Sequence, residues 1–142
     1  MRALGVDLGS KRIGIAVSDR SGTIASPLTV VHRSRSSRRD LDEIARIARD
    51  EEVEVVVVGL PLTLGGEVGR AAEAAIVEAD RLATVVDVPV ETHDERLTTV
   101  TADRRLIEAG MRGEARRRVV DKVAAAVMLQ SWLDARHARG ER

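Results

Sequence analysis

Two hydrophobic periods organise the chain. The stretch Ala3-Leu4-Gly5-Val6-Asp7-Leu8 alternates, setting Leu4, Val6 and Leu8 on one face and Ala3, Gly5 and Asp7 on the other. Gly9 to Arg12 reads as a tight turn, Ile13 to Ser18 as a second strand and Thr23 to His32 as a third. Short connections between the three suggest an antiparallel meander. After a polar, basic loop from Arg33 to Arg39 the period changes. Leu41, Ile44, Ala45, Ile47 and Ala48 have helical spacing, with Asp40 as the candidate N-cap or a start a few residues earlier. Val53 to Val58 is valine broken only by Glu54, the pattern of a central strand buried on both faces. Gly59-Leu60-Pro61 ends it and a glycine-rich loop runs from Leu62 to Gly69. A helix over Arg70 to Ala83, a strand over Val88 to Thr92 and a helix over Leu97 to Glu108, ended by Gly110, come next. The last helix lies within Glu114 to Arg136.

Three strands followed by strand–helix alternation predict an α/β fold, with a mixed five-stranded sheet and helices on both faces. Its 142 residues suit one domain, placed over residues 1–138, with residues 139–142 as a flexible tail. Twenty-three basic residues balance 23 acidic ones, so a nucleic-acid partner would require segregated charge. There is no cysteine, which excludes disulfides and thiolate metal sites. Trp132 is the single aromatic residue, which argues against recognition by rows of stacked rings. No apolar run approaches the roughly 20 residues that span a bilayer, and no leader pattern precedes the first strand. A cytoplasmic protein without membrane contact is the expectation.

Several carboxylates occupy costly positions. Asp7 lies inside an apolar strand, Asp94 and Glu95 directly follow another, and Asp121 shares a helical stripe with Ala125, Met128 and Trp132. Ala124 and Ala125 are small enough for that helix to approach the sheet closely. Asp121 would then come near the strand edge that carries Asp7. Two ionised carboxylates in one partly buried place repel, and a divalent cation is the usual resolution. Oxygen-only ligands favour Mg²⁺ or Mn²⁺. Each position also has a plainer reading. Asp7 could be a turn residue, Asp121 could pair with Arg117 or Arg118, and Asp94-Glu95-Arg96 could be a solvated loop or an N-cap. His93 reads as structural, and His32, His93 and His137 have no zinc spacing.

Taken in order, the motifs Gly5-Val6-Asp7-Leu8-Gly9, Arg12-Ile13-Gly14-Ile15-Ala16, Val57-Val58-Gly59-Leu60-Pro61, Asp94-Glu95-Arg96-Leu97 and Asp121-Lys122-Val123-Ala124-Ala125-Ala126 resemble the YqgF, or RuvX, family of ribonuclease H-like proteins. The resemblance runs from Leu4 to about Leu133. It implies a ribonuclease H-like fold whose active site is Asp7, Glu95 and Asp121, holding metal for phosphodiester hydrolysis. It also implies a role in maturing the small-subunit ribosomal RNA precursor, or resolution of Holliday junctions. Two departures from related sequences stand out. Ala124 replaces a further acid on the last helix, and Thr63 and Gly65 occupy the loop where Asn and Asp are frequent.

Phosphate contacts are expected from basic residues near these acids. Lys11 and Arg12 flank the first turn, and Arg96 adjoins Glu95. Arg112, Arg116, Arg117 and Arg118 precede Asp121, and Arg33, Arg35, Arg38 and Arg39 form a second cluster. The expected partner is nucleic acid, RNA in preference to a DNA junction, bound by a monomer or homodimer. Two other classes fit parts of the pattern. Gly5 to Lys11 also looks like the first phosphate loop of actin-like ATPases, which would need two such domains around a cleft. A non-catalytic RNA-binding assembly factor would use the arginines alone.

Overall fold

A computed structural model describes residues 1–61, 65–95 and 113–140, with the side chains of residues 114–117 excepted. In chain order the elements are β1 (Ala3–Leu8), β2 (Arg12–Ser18), β3 (Ala25–His32), α1 (Ser37–Asp50), β4 (Val55–Leu60), α2 (Arg70–Ala83), β5 (Val90–Asp94) and α3 (Gly113–Ala138). The helix expected over Leu97 to Glu108 lies outside the described residues, as does Leu62 to Leu64 within the expected loop.

The strands form one sheet in the order β3-β2-β1-β4-β5. β1, β2 and β3 pair antiparallel, while β1/β4 and β4/β5 pair parallel. Connection length explains the mixture, because tight turns join antiparallel neighbours and helical crossovers join parallel ones. The β2/β3 ladder shifts register between Ile15 and Ala16, where Ala16 meets Pro27. A proline is tolerated there because β3 is an edge strand and the ladder is already interrupted.

The sheet buries both faces. Leu4, Val6, Ile13, Ile15, Val56 and Val58 pack with Leu41, Ile44 and Leu82 of α1 and α2. Ala3, Ala16, Val55 and Val57 pack against Ala125, Met128, Leu129 and Trp132 of α3. The valine run is therefore central and closed on both sides, as its composition implies, although β4 begins at Val55 rather than Val53. β5 also starts two residues later than expected, at Val90. Pro89 has no N–H to give, and its carbonyl accepts from Val56 N at 3.0 Å to open the ladder.

Asp40 is not the cap of α1. Ser36 takes that place, with extended backbone and a hydroxyl that accepts from Arg39 N at 3.2 Å. Asp40 is buried one turn inside the helix. Its carboxylate accepts from the Ser34 hydroxyl at 2.7 Å and from Ser34 N at 3.0 Å, fastening the incoming loop to the helix.

Candidate active site

Alternation along β1 turns Ala3, Gly5 and Asp7 toward α3. Gly5 lets the helix come close: a Cβ there would lie 2.8 Å from Leu129 Cβ and 3.2 Å from the Ala125 carbonyl oxygen. Further along the same face, Asp7 is buried at 8% exposure and pairs across β1/β2 with Gly14. A Cβ on Gly14 would sit 2.0 Å from the backbone oxygen of Asp121. The first turns of α3 thus lie directly on a bare patch of sheet beside Asp7.

The other neighbour of Asp7 is also a glycine. Val6 pairs with Val58 across β1/β4, and the next step sets Gly59 level with Asp7. A Cβ on Gly59 would lie 2.4 Å from Glu95 Oε1. That oxygen is buried, and Glu95 immediately follows β5. Asp7 therefore stands between two strand glycines, one covered by Asp121 and the other by Glu95. The structure brings all three sequence-predicted acids to one end of the sheet on the α3 face.

Arg12 enters the same place. Its Nε donates to Asp121 Oδ2 at 2.6 Å, with side-chain exposures of 17% and 16%. The partner of Asp121 among the described side chains is this distant arginine, not Arg118 on its own helix. Among the described residues no three His, Cys, Asp or Glu side chains are drawn close enough to surround an ion in this arrangement. The donor set still fits one. Asp7, Glu95 and Asp121 offer only carboxylate oxygens, the ligands that Mg²⁺ and Mn²⁺ prefer. The two bare glycines let the Asp121 backbone and the Glu95 carboxylate come in beside Asp7, where any Cβ would collide.

His93, two residues before Glu95, is buried and shares a 3.0 Å hydrogen bond between Nε2 and the Ser131 hydroxyl of α3. Burial lowers its pKa below the ordinary imidazole value. Asp94 opposes that shift and Arg139 adds to it. The structural reading of this histidine fits, since it ties β5 to α3.

The basic residues separate into engaged and available groups. Arg33, read from sequence as a phosphate-binding candidate, instead forks onto Glu78 at 2.8 and 2.9 Å and donates from Nε to the Gly9 carbonyl at 2.6 Å. Arg38 pairs with Asp42 on α1 at 3.3 Å. Lys11 and Arg118 are exposed. Arg96 and Arg112, and the side chains of Arg116 and Arg117, lie outside the described residues. Sequence reasoning missed the two glycines beside Asp7. Glycine inside a strand often marks a close approach, and that signal was available at Gly14.

Thermus thermophilus RuvC has the same arrangement of elements. Its structure in complex with a Holliday junction substrate superimposes with a TM-score of 0.58 at 19% identity, covering 96% of each chain. A second RuvC structure gives a TM-score of 0.57 at 18% identity, covering 97% of each chain. This is the ribonuclease H-like fold, with the acids gathered at one end of the central strands. The family model RuvX, described as Holliday junction resolvase, matches residues 1–135. The chain belongs to the RuvX family. A Myxococcus xanthus relative is 50% identical over 95% of this chain and 89% of its own length. One from Mycobacterium sp. (strain KMS) is 48% identical over 96% of this chain and 82% of its own. Both carry the name "Putative pre-16S rRNA nuclease".

Proposed function

We propose that this protein is a divalent-metal-dependent nuclease that trims the 5' end of the small-subunit ribosomal RNA precursor in the cytoplasm. The observation that carries the reading is the placement of Asp121 and Glu95 over the two glycines that flank Asp7. Three carboxylates gathered at a partly buried sheet end repel one another, and a divalent cation between them relieves that repulsion. Asp7, Glu95 and Asp121 would hold Mg²⁺ or Mn²⁺. When bound, the ion supplies an activated water and charge stabilisation for phosphodiester cleavage.

The remaining chemistry belongs to the chain. Asp7 and Asp121 fix the reacting end of the sheet, and Gly14 lets the helix bring its acid within reach. Lys11 and Arg12, with Arg96, Arg112, Arg116, Arg117 and Arg118, are the cations proposed to orient substrate phosphates. Arg12 is held by Asp121 in this structure, so its phosphate role requires exchange of that partner. The names of the relatives support RNA as substrate, and the description of the family keeps a four-way DNA junction as the second reading. Resolution of a junction would demand a homodimer, because two strands are cut symmetrically, whereas trimming an RNA end is open to a monomer.

The test is cleavage of a labelled precursor RNA fragment and of a four-way DNA junction, each with Mg²⁺, Mn²⁺ or chelator. Asp7→Asn and Asp121→Asn proteins serve beside the unaltered chain. Metal-dependent cutting of the RNA, reduced at least about a hundredfold in both folded variants, is the expected result. Cutting of the junction alone would select the second reading. Tight RNA binding without cutting would leave an assembly factor.

A further inference from the structure

β3 is an outer strand, and its two flanks differ in charge. On the α1 side it borders a groove lined by Glu43, Asp50 and Glu51, with Arg46 among them. On the α3 side it borders a groove of about 440 Å³ that has no acidic lining residue. Arg118 and Lys122 line that second groove from α3, and His32 closes one end from β3. Leu28, Val30 and Val119 add apolar surface. In a chain of zero net charge this is the segregation that an anionic partner requires.

These cations are not tied to carboxylates, whereas several others are. Arg2, Arg12, Arg20, Arg33, Arg38 and Arg46 each sit within ion-pair distance of a carboxylate. Among the described residues, neither Arg118 nor Lys122 is in an ion pair. The groove also points at the acids. Lys122 follows Asp121 directly, and His32 pairs across β2/β3 with Arg12, the residue that holds Asp121. Its volume is that of a small-ligand cleft, in the range of roughly 300–1,000 Å³. A space of this size matches one nucleotide rather than a duplex.

We propose that this groove binds a single unpaired nucleotide of the substrate strand. Arg118 and Lys122 hold its phosphate, and its sugar and base rest on Leu28, Val30 and Val119. The strand is thereby led past β3 toward Asp121 and Asp7. The inference rests on the nuclease reading above and adds to it a binding subsite with a preference for single strands.

The experiment is fluorescence anisotropy with a short labelled single-stranded RNA and its duplex, in Ca²⁺ so that binding is read without cutting. The proteins are the unaltered chain, Arg118→Gln/Lys122→Gln, Val119→Glu, and Arg38→Gln/Arg46→Gln as an equal change of charge on α1. Circular dichroism confirms that each is folded. The first two variants are expected to lose about tenfold or more in single-strand affinity at moderate salt. For the double neutralisation the salt slope should fall by about 0.7, the equivalent of one lost phosphate contact on a single strand. Duplex binding, and all binding by the α1 variant, should hold. Unchanged single-strand affinity in both groove variants would overturn the subsite and leave the nuclease reading standing. An equal loss for duplex would overturn the single-strand assignment. An unaltered chain that binds neither nucleic acid would remove the nuclease reading and the subsite together.

Discussion

Arg12 and Asp121 meet across 2.6 Å, joining β2 to the helix that closes the other side of the sheet. The guanidinium gives Asp121 a positive partner in a place where a second carboxylate, Asp7, stands one strand away. Arg12→Gln should therefore lower the stability of the metal-free protein by about 1–3 kcal/mol, the usual loss when a partly buried charge is left alone. Added Mg²⁺ should restore part of the deficit, because the ion supplies the missing charge. Urea denaturation with and without Mg²⁺ checks this. A deficit identical in both conditions would mean that the ion does not reach Asp121.

The two glycines beside Asp7 should respond differently to a methyl group. At Gly14 the obstacle is the backbone oxygen of Asp121, which cannot move without the helix. Gly14→Ala should cost about 2 kcal/mol or more. At Gly59 the obstacle is the far end of the Glu95 side chain, which can swing away. Gly59→Ala should cost less than about 1 kcal/mol, yet reduce cleavage by about a hundredfold through misplacement of one acid. Unfolding midpoints measured beside cleavage rates separate the two effects.

Arg33 binds the turn between β1 and β2 to α2 through its fork onto Glu78 and its bond to the Gly9 carbonyl. Both side chains are more than four-fifths buried, with exposures of 19% and 17%. Glu78→Gln removes the charge but keeps the shape, and should destabilise by about 1–3 kcal/mol. A double-mutant cycle with Arg33→Gln should give a coupling of about 1 kcal/mol or more. Additive losses would show that the fork contributes little.

Asp19 organises the turn between β2 and β3. Its carboxylate accepts from Thr23 N at 2.8 Å, from Ile24 N at 3.2 Å and from the Ser21 hydroxyl at 2.9 Å. The Thr23 and Ile24 amides, then the Ser21 hydroxyl, hold its pKa below the ordinary value of 3.8. Because the folded value is depressed, the contribution is complete above pH 3.8 and is lost as pH falls through the folded pKa. Thermal midpoints followed down from about pH 5 should fall less steeply for Asp19→Asn than for the unaltered chain.

Much of the site was readable from local pattern. Alternation in β1 assigns Asp7 to the face of Gly5, and the stripe through Ala125, Met128 and Trp132 turns Asp121 toward the sheet. Both assignments follow from repeats of a few residues. The Arg12–Asp121 bond spans 109 positions, and the sequence offers Asp121 nearer arginines on its own helix. Only the packing of α3 across β2 selects the distant one. Arg33 misled for a similar reason. In a polar run it looks solvated, and its acid lies on α2, 45 residues away. Ser36 won the cap from Asp40 because its backbone is extended and its hydroxyl faces the N–H of Arg39 three residues on.

The acid on β1 is the seventh residue, and the helix that covers it begins at Gly113. During synthesis, five strands and two helices of the described residues emerge before that cover exists. Until α3 arrives, the face formed by Ala3, Ala16, Val55 and Val57 is open to water. The nascent chain thus carries a half-finished core and no complete cluster of acids. Contacts of such long sequence separation form late and slowly. A protein proposed to cut RNA is made beside the ribosome's own RNA, and its chain order withholds the cutting end until the fold is closed.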